Sequence, residues 1–206
     1  MRPKVAVDVD GVIRNFRQAI HDTLIERGVI KPNCLFDITQ WCVYESYLVE
    51  DAFVGVISRE EFYNKMYTIW AENIFLKAKP YQGAGEFMQE LEDRYSTVGI
   101  LTDQKLDSWF YTLSWLSFFF EDYRLHCDYI ICSKDKHLFV GPDKLFNIII
   151  DDKAITVADV VKGGGEGILF MRPWNREIPM DDIECSQVYN YTDALGALRE
   201  LECRDV

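Results

Sequence analysis

Val5-Ala-Val-Asp-Val-Asp-Gly-Val-Ile13 is a β-branched run that carries two acids one residue apart and then reaches Gly11. β-Branched residues favour a strand, and the glycine marks the turn where that strand ends. Side chains alternate along extended backbone, which puts Asp8 and Asp10 on one face. Two carboxylates so close repel, so the pair calls for a bound cation or for one carboxyl kept protonated to act as an acid. A carboxylate at the mouth of a strand can accept a phosphoryl group while its neighbour protonates the leaving oxygen and Mg²⁺ neutralises the phosphate. A calcium loop is the main competitor, but it needs alternating acids and a closing glutamate between two helices. Here a strand precedes the acids and apolar Val12 and Ile13 follow. A merely structural strand end is the third reading, and further positions must decide.

The chain has 206 residues, enough for one sizeable core with an inserted subdomain. A hydrophobic content of 49% and a charged content of 27% are ordinary for a soluble globular protein. With 22 basic against 34 acidic residues the net charge is -12, which argues against a nucleic-acid polymer as partner. A small phosphorylated ligand remains open, its charge met locally by a metal and one or two lysines. The start, Met-Arg-Pro-Lys, has no apolar stretch of a signal peptide, so a cytoplasmic protein is expected. The six cysteines form no Cys-x-x-Cys pair and read as reduced thiols. The aromatic run WFYTLSWLSFFF at 109–120 is too short and too serine-interrupted to span a bilayer, and reads as a buried helix with no membrane partner.

After the first strand, 15–28 has helical periodicity and ends at Gly28, and 59–73 is a second helix with Ser58 and Glu61 as a capping box. Together they suggest a mainly helical insertion over 15–79, with the core formed by 1–14 and 80–206. The remainder alternates: helix 84–94, strand 97–101, helix 106–121, strand 129–132, strand 146–150, helix 154–161, strand 167–170 and helix 192–201. Alternation with continuously apolar strands predicts an α/β, Rossmann-like core, a parallel sheet covered by helices on both faces. Such sheets bind ligands beyond the carboxyl ends of their strands. Gly163-Gly-Gly165 lacks the Gly-Lys-Ser/Thr of a phosphate cradle and reads as a turn.

Three strands end in polar chemistry at that edge: the first in Asp8 and Asp10, the second in Thr102, and the strand over 146–150 in Asp151 and Asp152. Asp-x-Asp, then Thr, then Asp-Asp, with lysines between the last two, resembles the four motifs of the haloacid dehalogenase (HAD) superfamily across nearly the whole chain. The resemblance implies a HAD core with a helical cap inserted after the first strand. It also implies Mg²⁺ held by Asp8, Asp151 and Asp152 with the Asp10 carbonyl. Asp8 would attack phosphorus, Asp10 would protonate the leaving oxygen and then deprotonate water, and Thr102 and a lysine would bind phosphate. Lys136 fits the motif best, with Lys134 and Lys144 as alternatives. An N-cap on the following helix is the structural reading of Asp151-Asp152.

Asp8-Val-Asp-Gly-Val-Ile-Arg-Asn-Phe16, Pro80-Tyr-Gln-Gly-Ala-Gly-Glu86 and Phe170-Met-Arg-Pro-Trp-Asn175 are similar to segments of the 5'(3')-deoxyribonucleotidase branch. This implies a nucleoside monophosphate as small-molecule substrate, with Phe16 and Trp41 stacking on its base. Phe16, Trp41, Tyr44, Trp70 and Phe75 also read as plain core aromatics. Asp103 departs from the serine common in that branch, and must point away from phosphate or pair with Lys105. A HAD phosphatase for a sugar phosphate and a catalytically silent nucleotide-binding protein are the alternatives. Base, sugar and oligomeric state, including a homodimer, are left open.

Overall fold

The structure, a computed structural model, describes residues 3–34, 42–176, 178, 180 and 182–204. Its elements run β1 (Lys4–Val7), α1 (Phe16–Glu26), α2 (Val43–Val49), α3 (Arg59–Tyr67), α4 (Ala84–Arg94), β2 (Thr97–Thr102), α5 (Leu106–Tyr123) and β3 (Tyr129–Cys132). They continue with β4 (Ile148–Asp151), α6 (Ala154–Lys162), β5 (Glu166–Phe170), β6 (Ser186–Val188) and α7 (Tyr191–Arg204). All six strands are parallel, in the order β3-β2-β1-β4-β5-β6. Val7 of the central β1 therefore lies between Ile100 and Ile150. The chain moves outward to β3 and then returns to the other side of β1. That reversal opens a crevice at the carboxyl ends of the strands.

Period-two burial divides the strand residues between two layers. Val5, Val7, Ile100, Ile150 and Ile168 pack with Phe87 and Leu91 of α4, Trp115 and Phe119 of α5 and Leu198 of α7. Ala6, Leu101 and Ile149 face the other way, onto Val140, Phe146 and Val160, while Leu169 packs on Ala154 and Val157 of α6. Both faces of the sheet are thus covered, which is why its strands are apolar without alternation.

A separate hydrophobic cluster forms between β1 and α4. Ile20 and Leu24 of α1 meet Tyr47 of α2, Phe62 and Met66 of α3, and Trp70, Ile74 and Phe75. The chain enters and leaves this region through two hydrogen-bonded segments: Asn15 N–H donates to the Lys79 carbonyl and Tyr81 N–H to the Ile13 carbonyl, both at 2.9 Å. The bounds read from the sequence, 15 and 79, are the two residues that the first of these hydrogen bonds joins.

Several local expectations need correction. Helix 59–73 stops at Tyr67; Ser58 Oγ does accept the Glu61 N–H, but the Glu61 carboxylate turns to Lys65 at 2.6 Å instead of closing the box. A wide π-turn, Glu72–Leu76, follows. Strand 146–150 begins only at Ile148, because Phe146 bonds back to Phe139 and Gly141. Helix α5 buries Trp115, Leu116 and Phe119 but leaves Phe110 and Phe118 exposed, so it is buried along one side instead of all round. Helix α2 and strand β6 were not anticipated. The triple glycine does form a turn, with Gly165 N–H closing on the Val160 carbonyl. All six cysteines are free thiols, and no helix among the described residues is long and apolar enough to cross a membrane.

Candidate active site

The carboxyl ends of β1, β2 and β4 converge on one cavity of about 240 Å³. Asp8, Asp10, Thr102, Lys136, Asp151 and Asp152 line it together. Asp8 directly follows β1 and is still tied to the sheet, its N–H donating to the Ile150 carbonyl at 2.9 Å. Beyond Val7 the chain is not extended as expected. The Val9 carbonyl accepts the N–H groups of Ile13 and Arg14, closing a turn that delivers Asp10 to the cavity. Gly11 makes that turn possible with φ of +83°, and a Cβ there would stand 2.0 Å from Asp152 Oδ2.

Lys136, which lies in a short 3₁₀ turn before β4, is 2% exposed, and its Nζ sits 2.8 Å from Asp8 Oδ1 and 2.7 Å from Asp151 Oδ2. Lys144 is used elsewhere, donating to the His137 and Val140 carbonyls, and Lys134 borders a neighbouring cleft. The lysine that reaches the acids is therefore Lys136. Burial works against its charge, yet Asp151 and Asp8 outweigh that effect and hold the ammonium above its ordinary range.

Asp8, Asp151 and Asp152 are buried, with one carboxylate oxygen from each within 4.8 Å of the others. Burial is the largest cause that pushes the Asp151 carboxyl up to about 6, opposed by Lys136. Burial also drives Asp152 well above the usual carboxylate range, and the nearby Asp151 and Asp8 add to it. One ammonium does not balance three buried carboxylates. Asp8 Oδ1, although in ion-pair range of Lys136, accepts no well-directed hydrogen bond. An oxygen-only cluster with an unsatisfied buried oxygen fits a hard metal cation. The Asp10 carboxylate is not part of this cluster: Arg14 Nε and Nη2 take its two oxygens at 2.7 and 3.0 Å. From this residue only the carbonyl implied by the HAD resemblance stays available for a cation. Burial raises the Asp10 carboxyl and Arg14 opposes the rise.

The loop after β5 supports these acids. Trp174 Nε1 donates to Asp152 Oδ2 at 2.7 Å, Asn175 Nδ2 to the Asp152 carbonyl at 2.7 Å, and Arg172 Nε to the Gly11 carbonyl at 2.6 Å. Asp151 Oδ1 accepts the Lys153 N–H at 2.8 Å, but Lys153 is itself the N-cap of α6 and no side chain caps that helix, so neither Asp151 nor Asp152 is the N-cap that the structural reading expected. Asp103 does not pair with Lys105. Its carboxylate lies 3.5 Å from Lys153, and Lys105 rests over the Tyr67 ring instead.

From the insertion, Phe16, Arg17, Tyr63, Tyr67 and Phe75 line the opposite wall of the cavity. Tyr67 and Phe75 are stacked at 5.6 Å, and Arg17 lies over the Trp174 ring at 4.6 Å. Burial lowers the Arg17 pKa and Asp152 opposes this. Trp41 lies outside the described residues. Trp70 belongs to the insertion's core and Tyr44 donates to the Ile57 carbonyl, so neither lines the site. Arg14, Arg17, Tyr63 and Tyr67 were missed. The one available signal was two arginines close after the paired acids, Arg14 in the turn and Arg17 in the first turn of α1, a costly placement in a buried segment unless each has work to do.

The sequence matches no protein-family model and no curated protein. Solved structures do share the fold. A HAD hydrolase of Bacillus subtilis solved with magnesium is 12% identical, with 96% of this chain and 99% of that one covered at a TM-score of 0.60. A HAD family hydrolase of Deinococcus radiodurans R1 with bound phosphate and sodium is 14% identical, covering 97% and 96% at 0.58. The L-2-haloacid dehalogenase of Xanthobacter autotrophicus, with chloropropionic acid covalently bound, is 12% identical, covering 84% and 78% at 0.53. The chain has the α/β fold of the HAD-like hydrolases.

Proposed function

We propose that this protein is a divalent-metal-dependent phosphomonoester hydrolase, with nucleoside monophosphates as its substrates. The observation that carries the reading is the pairing of Lys136 with both Asp8 and Asp151 beside Asp10, an acid on the cavity wall with a side chain 17% exposed. Asp8 is the nucleophile, and forms a bond to phosphorus as the ester P–O bond breaks. Asp10 gives its proton to the departing oxygen and recovers one from the water that hydrolyses the aspartyl phosphate. Lys136 and the Thr102 hydroxyl meet the charge on the phosphoryl oxygens. Asp8, Asp151 and Asp152 would supply the oxygens for Mg²⁺, with Asp8 Oδ1 already lacking a hydrogen-bond partner. When bound, the ion neutralises phosphate charge. Residues 15–79 form a cap whose aromatic wall, with Phe16 foremost, stacks on the base; a stacking role for Trp41 rests on the resemblance alone.

Dehalogenases share this fold, but a halide leaves as an anion and needs no proton donor. Asp10 and the three-carboxylate cluster favour phosphoryl transfer over halide displacement. A panel of nucleoside monophosphates, sugar phosphates and haloacids, with Mg²⁺, with Ca²⁺ and with chelator, tests the reading. Mg²⁺-dependent phosphate release that Ca²⁺ inhibits and that is fastest with nucleotides supports it. Chelator-insensitive turnover refutes the metal, and preference for sugar phosphates refutes the base-stacking cap.

A further inference from the structure

We infer that Arg14 is a positioning residue for Asp10, holding its carboxyl in the plane and direction that proton exchange with the substrate requires. The assignment rests on the phosphatase reading above. Arg14 has no solvent exposure, and its donors are distributed over three parts of the chain. Nε and Nη2 grip the two Asp10 oxygens, Nη2 also donates to Thr112 Oγ1 of α5 at 3.1 Å, and Nη1 donates to the Phe75 carbonyl at 2.8 Å. That carbonyl lies in the π-turn, and Pro80, five residues on, has no N–H to offer it. The guanidinium lies between the Phe75 and Trp115 rings, 5.4 and 5.2 Å from their centroids. Such a group cannot tilt.

An aspartate at the end of a turn otherwise rotates freely about its last bond. The two-pronged grip removes that rotation and leaves each oxygen a second lone pair for a proton. A lysine would keep the charge but not the planar fork. The residue anchors Asp10 to both the core helix α5 and the segment that returns from the insertion, so the acid's aim depends on both.

Proton donation matters most when the leaving oxygen is basic. The test therefore compares kcat/KM for an alkyl phosphate or nucleotide with that for an aryl phosphate whose phenol is strongly acidic, using wild type, Arg14→Lys, Thr112→Val and, as reference, Asp10→Asn. Arg14→Lys should lose on the order of 10²-fold on the alkyl ester, the usual scale of acid–base catalysis, but less than about tenfold on the activated ester. It should also release a burst of phenol, because Asp10 is needed again as base for the water. Thr112→Val removes only the Nη2 anchor and should show the same pattern at smaller amplitude, which keeps the test alive if the lysine variant does not fold. Equal losses on both esters would make Arg14 a structural ion pair and overturn the assignment. A wild type inactive on every ester would instead overturn the phosphatase reading, and the assignment with it.

Discussion

Replacing Lys136 with Met removes the one ammonium that touches both Asp8 and Asp151 while keeping most of the side-chain volume. At an effective dielectric of about 20, unit charges this close attract by roughly 6 kcal/mol, and Lys136 makes two such contacts. Desolvation of the three groups offsets much of that, and removing one partner of a buried ion pair costs about 3–5 kcal/mol. For a chain of this size each kcal/mol moves the melting temperature by about 2–4 °C, so a fall of roughly 6–20 °C is expected without metal. A divalent cation should recover part of the lost stability, since it compensates the same carboxylates. It should not recover turnover, which should fall about 10²- to 10³-fold, because the charge facing the transferring phosphoryl group is gone. Thermal unfolding and phosphate release, each with and without Mg²⁺, read both effects. A variant that melts like wild type, or that turns over at the wild-type rate, would refute the reasoning.

Three further outcomes follow from the same geometry. Burial raises the Asp151 carboxyl from 3.8 up to about 6, so its contribution to stability is full below about pH 4 and is lost as pH rises through about 6, and Asp152 is raised in the same direction; the melting-temperature gain on adding Mg²⁺ should be larger at about pH 7.5 than at about pH 5, and an equal gain would contradict it. Phe16→Ala should cost about 1–3 kcal/mol in kcat/KM for a nucleotide but little for an ester without a base, and parallel losses would make Phe16 a packing residue. Gly11→Ala forces a Cβ into the space of Asp152 Oδ2 at a positive φ, so it should lower both melting temperature and metal response, and unchanged unfolding curves in the two conditions would count against the turn described.

Much of the core was legible because parallel strands buried on both faces leave unbroken apolar runs, as in Val5 to Val7 and Ile148 to Ile150. Strand ends that finish in Asp8, Thr102 and Asp151 announce themselves for the opposite reason, since a buried polar or charged group at the end of such a run needs a partner that apolar packing does not supply. Lys136 was harder. Three lysines precede Asp151, and only the 3₁₀ turn at Lys136–Leu138 aims one of them inward. Arg14 was hard to place as a site residue because, beyond Asp10 four residues before it, its partners Phe75 and Thr112 are 61 and 98 residues away in sequence. The aromatics of the insertion could not be sorted by type: Trp70 and Phe75 look alike in sequence, yet only Phe75 reaches the cavity. Nor does periodicity reveal that α5 leaves Phe110 and Phe118 in solvent, because every face of that helix is apolar.

The proposed reaction requires that Asp8 become phosphorylated in each turnover. Rapid acid quench of the protein turning over a nucleoside monophosphate, followed by peptide mass spectrometry, addresses it directly. A single hydroxylamine-sensitive phosphoryl group on the peptide containing Asp8, absent from Asp8→Asn, is the predicted result. Turnover with no labelled aspartate, or a label on any other residue, would contradict the account.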